Sequence, residues 1–161
     1  MPRKLKTITS QIKAADYMEF LSTVQLVGLA LKSSSASIDR SVFFDLVEEK
    51  KPVRRLSEEY ASTNVGKDYF DAEGRYKVTV ADEVRTGLLI QFAFEVHMHA
   101  KGPVDPQMAD QFAKSDLRFI LLPYARQFVT SITGQMQIPP VVLPLATAAG
   151  RARLTKSRKE S

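Results

Sequence analysis

The chain carries two hydrophobic periods, one through its middle and another towards its end. "RYKVTVADEV" sets Tyr76, Val78 and Val80 against Lys77 and Thr79. "LLIQFAFEVHMH" sets Ile90, Phe92, Phe94, Val96 and Met98 against Gln91, Ala93, Glu95, His97 and His99. Period-two alternation predicts two half-buried strands, and the short connection "DEVRTG" predicts that they pair antiparallel. Upstream, "TVQLVGLALKSSSASI" reads as a strand running into a serine-rich turn. "SVFFDLVEEK", with Phe43, Phe44, Leu46 and Val47, reads as the next strand. Before them, "SQIKAADYMEFL" spaces Ile12, Ala15, Met18 and Leu21 for a short amphipathic helix that Ser10 can cap. The least patterned stretch, "KKPVRRLSEEYASTNVGKDYFDAEG", holds Pro52, Gly66, Gly74 and many charges, and reads as loop with short extended pieces.

After His99 the period becomes helical. Asp105 before Pro106 is a capping residue ahead of a proline at the first helical position, with Met108 and Phe112 a turn apart. Ser115 is placed to cap a longer helix in which Leu117, Leu121, Tyr124, Phe128 and Ile132 share a face, and Gly134 is placed to end it. Pro123 removes one backbone bond there, predicting a bend or the true start. Strands first and helices after give an α+β fold, an antiparallel sheet with helices packed on one face. The segment that follows, "QIPPVVLPLA", has Pro139, Pro140 and Pro144 and favours an extended chain, lying over its own core or contributing to a groove.

At 161 residues the chain is long enough for one domain with a real core. Its lack of cysteine removes disulfides, thiolate metal sites and a catalytic thiol. The formal net charge of +5 sits at the ends: Arg3, Lys4 and Lys6 on one side, Arg151, Arg153, Lys156, Arg158 and Lys159 on the other. The body between them is slightly acidic. We therefore divide the chain into a basic extension over 1–9, a domain over 10–147 and a basic disordered tail over 148–161. Basic ends offer electrostatic contact with nucleic acid as an alternative function, although a short Lys/Arg terminus more often only solubilises. "MPRKLKTITSQIK" is not followed by an apolar run of signal-peptide type, and no apolar stretch reaches membrane-spanning length. The expectation is a cytoplasmic protein that inserts in no membrane.

Chemistry is sparse. Glu95, His97 and His99 lie at i, i+2 and i+4 on one strand face, a ligand set suited to zinc or iron, but this is also the face on which a half-buried strand carries its solvated residues. No glycine-flanked nucleophile turn and no phosphate loop occurs. Adjacent carboxylates such as Asp82 with Glu83 and Glu48 with Glu49 read as solvated charges. The reading is a non-enzyme without catalytic residues, metal or cofactor, and what remains is apolar surface.

"LLPYARQFVTSITGQMQIPPVVLPLA" resembles the SecB family of export chaperones, through Leu122, Pro123, Tyr124, Ala125, Arg126, Gly134 and Pro140. The resemblance implies a four-stranded antiparallel sheet with a long C-terminal helix and a shorter one on one face, assembled as a homotetramer built as a dimer of dimers. It implies an ATP-independent holdase for extended apolar segments of non-native polypeptides, serving export or the protection of an antitoxin. For the peptide-binding groove the expected residues are Phe43, Phe44, Leu46, Tyr124, Phe128, Val141, Val142 and Leu143. Tyr124 and Arg126 are equally suited to tying the helix start to neighbouring backbone. Export members end in an acidic or polar tail, whereas this chain ends "RARLTKSRKES", a departure that bears on docking to SecA, the motor partner the resemblance implies.

Overall fold

A computed structural model describes residues 11–50 and 53–143. Helix α1 (Ala14–Thr23) leads into strand β1 (Val24–Ile38), and helix α2 (Arg40–Glu48) follows. Then come β2 (Val53–Val65), β3 (Tyr69–Ala81) and β4 (Thr86–Ala100), and finally α3 (Pro106–Ser115) and α4 (Leu117–Gln135). The strands form one antiparallel sheet in the order β1-β4-β3-β2. Tight turns join β2 to β3 and β3 to β4, while α2 carries the chain from one sheet edge to the other, which is Greek-key connectivity. The fold is α+β with a four-stranded antiparallel sheet, as the resemblance implies.

The four helices among the described residues lie on one face of the sheet. Phe70 of β3 meets Phe20 of α1 and Phe112 of α3, with ring centroids 5.9 and 5.3 Å apart. Phe43 of α2 and Leu121 of α4 belong to the same buried cluster. The alternation in β4 is as predicted: Ile90, Phe92, Phe94, Val96 and Met98 are buried, and Gln91, His97 and His99 are exposed. Ala93 is buried on the second face, where its neighbours close over a side chain with little to expose.

The serine-rich stretch expected to turn is instead part of β1, paired with β4 as far as Ile38, and three further elements differ from expectation. "SVFFDLVEEK" is helical, not extended. Asp39 accepts a hydrogen bond from Val42 N at 3.1 Å as an N-cap, and Phe43 and Leu46, three apart, are buried together. Capping and helical spacing thus override the strand preference of Val-Phe-Phe. Residues 53–65 and 69–74 form strand rather than loop. β2 is an edge, where Arg54, Arg55 and Glu59 are exposed to water, and Glu58, turned towards the helices, is tolerated because Arg118 of α4 pairs with it at 2.8 Å. Gly74 is a close-approach residue and not a turn: a Cβ there would lie 2.6 Å from Leu121 Cδ1, so its absence lets α4 settle onto the sheet.

The helix ends also differ. α1 starts at Ala14, with Lys13 in the cap position; Ser10 lies outside the described residues. Asp105 caps α3 through Gln107 N at 2.8 Å, with Pro106 at its start, as expected. Ser115 does not cap α4; Asp116 holds the N-cap position without capping the helix backbone, its carboxylate instead accepting from Tyr17 OH, and Ser115 Oγ donates back to Gln111 O at 2.6 Å. α4 runs unbroken through Pro123, which is exposed like Phe119. The Phe119 carbonyl that loses its partner therefore faces water. Gly134 stays inside the helix. The chain turns three residues later, where Gln137 has φ 56°, Gln137 N reaches Gly134 O at 3.0 Å and Ile138 N reaches Thr133 O at 3.2 Å. This is a Schellman ending with glutamine in the left-handed position.

Candidate polypeptide-binding site

The helix layer does not cover the whole sheet. Leu121 seats α4 over Gly74 on β3, and the adjoining side of the helix leans over β4. Phe128 lies 4.6 Å from Phe92 and 6.3 Å from Phe94, and Tyr124 lies 6.4 Å from Phe94, all between ring centroids. β1 lies beyond these rings. Register places Leu26 opposite Met98, Leu29 opposite Val96 and Leu31 opposite Phe94, so this row faces the same side as the helices. Leu26 and Leu31 are nevertheless 43% and 44% exposed, and Tyr124 is 44% exposed.

The result is an open apolar trough. Its floor is the Leu26, Leu29 and Leu31 row, and its wall is Phe94, Tyr124 and half-buried Phe128. At the end of α4, Arg40 of α2 donates to Met136 O at 2.6 Å and brings half-exposed Phe44 into the helix layer. The outer border is the free edge of β1, 15 residues long. Only Lys32 on this strand is charged, and its Nζ is taken by Glu73 at 2.6 Å. None of the named trough residues carries a charge, so the surface suits burial of apolar groups and main-chain pairing rather than proton or group transfer.

The eight expected groove residues separate into two groups. Phe43, Leu46, Val141 and Leu143 are buried in the core at 2%, 0%, 4% and 3% exposure. Phe44, Tyr124 and Val142 are exposed and Phe128 is half-buried. The structure brings Tyr124 and Phe128 together. It places Val142 on the far side of α4, beside Pro123 and Arg126, and it lays Ile138, Val141 and Leu143 down as cover for the chain's own core. Sequence reasoning did not single out Leu26, Leu29 and Leu31. Their available signal was the run "VQLVGLAL", apolar at successive positions in a strand that turns out to be an edge.

The second face of the sheet holds Glu95, His97 and His99. His97 Nδ1 pairs with Asp71, and His99 Nε2 lies 3.6 Å from Asp68 Oδ2. Each histidine thus has its own aspartate, and among the described residues no group of three or more potential ligands is arranged to hold a metal. No helix among them is long and apolar enough to cross a membrane. The basic ends lie outside the described residues.

The Greek-key sheet with helices on one face is a SecB-like fold. It matches the structure of the Mycobacterium tuberculosis SecB-like chaperone Rv1957, solved in complex with a ChAD peptide from the Rv1956 HigA1 antitoxin. The TM-score is 0.69 at 18% identity, covering 82% of this chain and 97% of that one. A protein of unknown function from Streptococcus agalactiae also matches, with a TM-score of 0.46 at 12% identity over 76% of this chain and 97% of that one. No family model and no curated protein matches the sequence.

Proposed function

We propose that this chain is an ATP-independent chaperone, a non-enzyme that holds extended apolar segments of non-native polypeptides in the trough between β1 and α4. The observation that carries the reading is the uncovered leucine row of β1 beside the Phe94, Tyr124 and Phe128 rings. The SecB-like fold supports it, and so does the peptide bound to the mycobacterial structure. That neighbour also favours an antitoxin as client over an exported precursor.

An extended segment burying roughly 300 Å² of apolar surface gains about 7 to 8 kcal/mol. Ordering its backbone costs about 1 to 2 kcal/mol per residue, so a single trough holds weakly. Several troughs in one assembly hold a long chain usefully. This is the physical reason to expect the homotetramer that the resemblance implies. Folded proteins escape because they present no extended apolar segment, and selectivity for non-native chains needs no sequence readout.

The test is aggregation of a chemically denatured client, followed by light scattering without nucleotide. Suppression at substoichiometric assembly, lost in Tyr124→Ala with Leu31→Asp, is the expected result. Unimpeded aggregation in the presence of the wild-type protein overturns the proposal.

A further inference from the structure

The sheet face opposite the helices carries its own feature. On β3 and β4 its side chains run Asp71, Glu73, Arg75 and Lys77 opposite His97, Glu95, Ala93 and Gln91. Glu73 is 4% exposed, although it is a carboxylate on the side away from the helices. Lys32 reaches it from β1 across β4 at 2.6 Å, and Arg75 Nε binds its other oxygen. Burial alone would raise the Glu73 pKa, but the hydrogen bonds from these two cations overcome it and hold the carboxyl below its ordinary value. Glu73 is thus ionised and paired through both oxygens, and it fixes two positive groups in place.

Beside this triad lies a shallow cavity of about 630 Å³, lined by Lys32, Arg75, Lys77, Glu59 and the hydroxyls of Ser33, Ser35 and Ser57. Arg75 engages Glu73 through Nε alone. Its planar fork therefore keeps two terminal nitrogens for a second carboxylate. Lys77 is exposed, and Arg55 stands one step further along β2, opposite Thr79. Towards the other end of the same face the charge reverses, with Asp71 and Glu95 beside the two histidines.

We infer that this cavity docks an acidic peptide segment of a partner protein, with carboxylates placed on Arg75 and Lys77. The occupant is bounded by what surrounds the site. A nucleic-acid strand needs a continuous cationic track and exposed rings for stacking. Here the positive patch is short: Glu59 stands opposite Arg75 on β2 and lines the same cavity, Asp71 and Glu95 end it on the far side, and the two rings that border the cavity, Tyr76 and Phe92, are each only 3% exposed. A short acidic peptide fits a patch of this extent. The site lies across the sheet from the trough, so an apolar client and an acidic partner can be held at once.

The experiment is fluorescence anisotropy of a labelled hexaglutamate peptide titrated with the full chain. Lys77→Glu is the informative variant, because among the described residues Lys77 pairs with no other side chain. Binding at low salt that Lys77→Glu weakens about five- to ten-fold, with aggregation suppression unchanged, is the expected result. Added salt should weaken it further. Absence of hexaglutamate binding overturns the inference. So does binding insensitive to both Lys77→Glu and Arg55→Glu, which would place it on the basic ends. A single-stranded oligonucleotide that binds with the same Lys77 dependence while hexaglutamate does not would assign the face to nucleic acid instead.

Discussion

Gln137 stands at φ 56°, a conformation that costs an L-residue about 1 to 2 kcal/mol. It is held there because the turn satisfies two carbonyls at the end of α4 and directs Ile138 back into the core, where it is 6% exposed. Gln137→Gly should relieve the strain at the lesser cost of glycine entropy, raising stability by about 0.5 to 1 kcal/mol in urea unfolding. Glu73 presents a different residue-level case. Because its folded pKa lies below the ordinary 4.5, the unfolded chain takes up the proton more readily. Its contribution is therefore present above about pH 4.5 and is lost as pH falls through the lower folded value. Lys32 and Arg75 both reach water, and screening keeps the pair energies small. Glu73→Gln should lower stability at pH 7 by on the order of 1 kcal/mol, and its melting temperature should fall less steeply than wild type between pH 5 and 3. A variant whose acid profile parallels wild type would show that Glu73 does not shape acid stability.

Among the elements, α2 and α4 divide the labour between stability and binding. Phe43 and Leu46 bury the inner side of α2, and Gly87 lets β4 pass beneath it: a Cβ at that position would lie 2.7 Å from Phe43 Cα. Phe43→Ala should cost about 3 to 5 kcal/mol, the range for a large side chain deleted from a packed core. Tyr124→Ala removes a ring already 44% exposed; it should cost less than about 1 kcal/mol yet weaken client retention. Equal loss of stability in the two variants would erase the distinction between core and trough. What the sequence made legible follows the same division. β4 and the start of α3 were readable because one face or one cap dominates each. α2 was misread because Val-Phe-Phe favours strands by local preference, while its Asp39 cap and the three-residue spacing of Phe43 and Leu46 signalled a helix. β2 was hidden because an edge strand needs no strict alternation, and Gly74 because a close-approach glycine looks like a turn. The trough itself was half legible. Its helix wall lies within the motif, but its floor on β1 depends on knowing which strand is the edge.

For the molecule as a whole, the contrast between its two sheet edges is decisive. β2 has four charged residues along its length, the usual protection of an exposed edge. β1 has one, Lys32, and that side chain is bound to Glu73. A long edge whose outer main-chain groups and apolar row find no partner among the described residues invites another strand. A two-fold axis beside β1 would continue the sheet into a second copy and set two troughs side by side on the helix face, so that assembly and client capacity rise together. Val27 is the place to test this, because it is 63% exposed at the β1 bulge and its replacement disturbs no core contact. Val27→Lys introduces a cation on the strand edge that such a pairing would use, the protection that β2 already carries. The expected outcome is a mass in solution below the four subunits proposed for the wild type, with melting of the separated chain little changed and suppression of aggregation weakened. A four-subunit mass retained by Val27→Lys would remove β1 from the assembly and leave its edge free for clients alone.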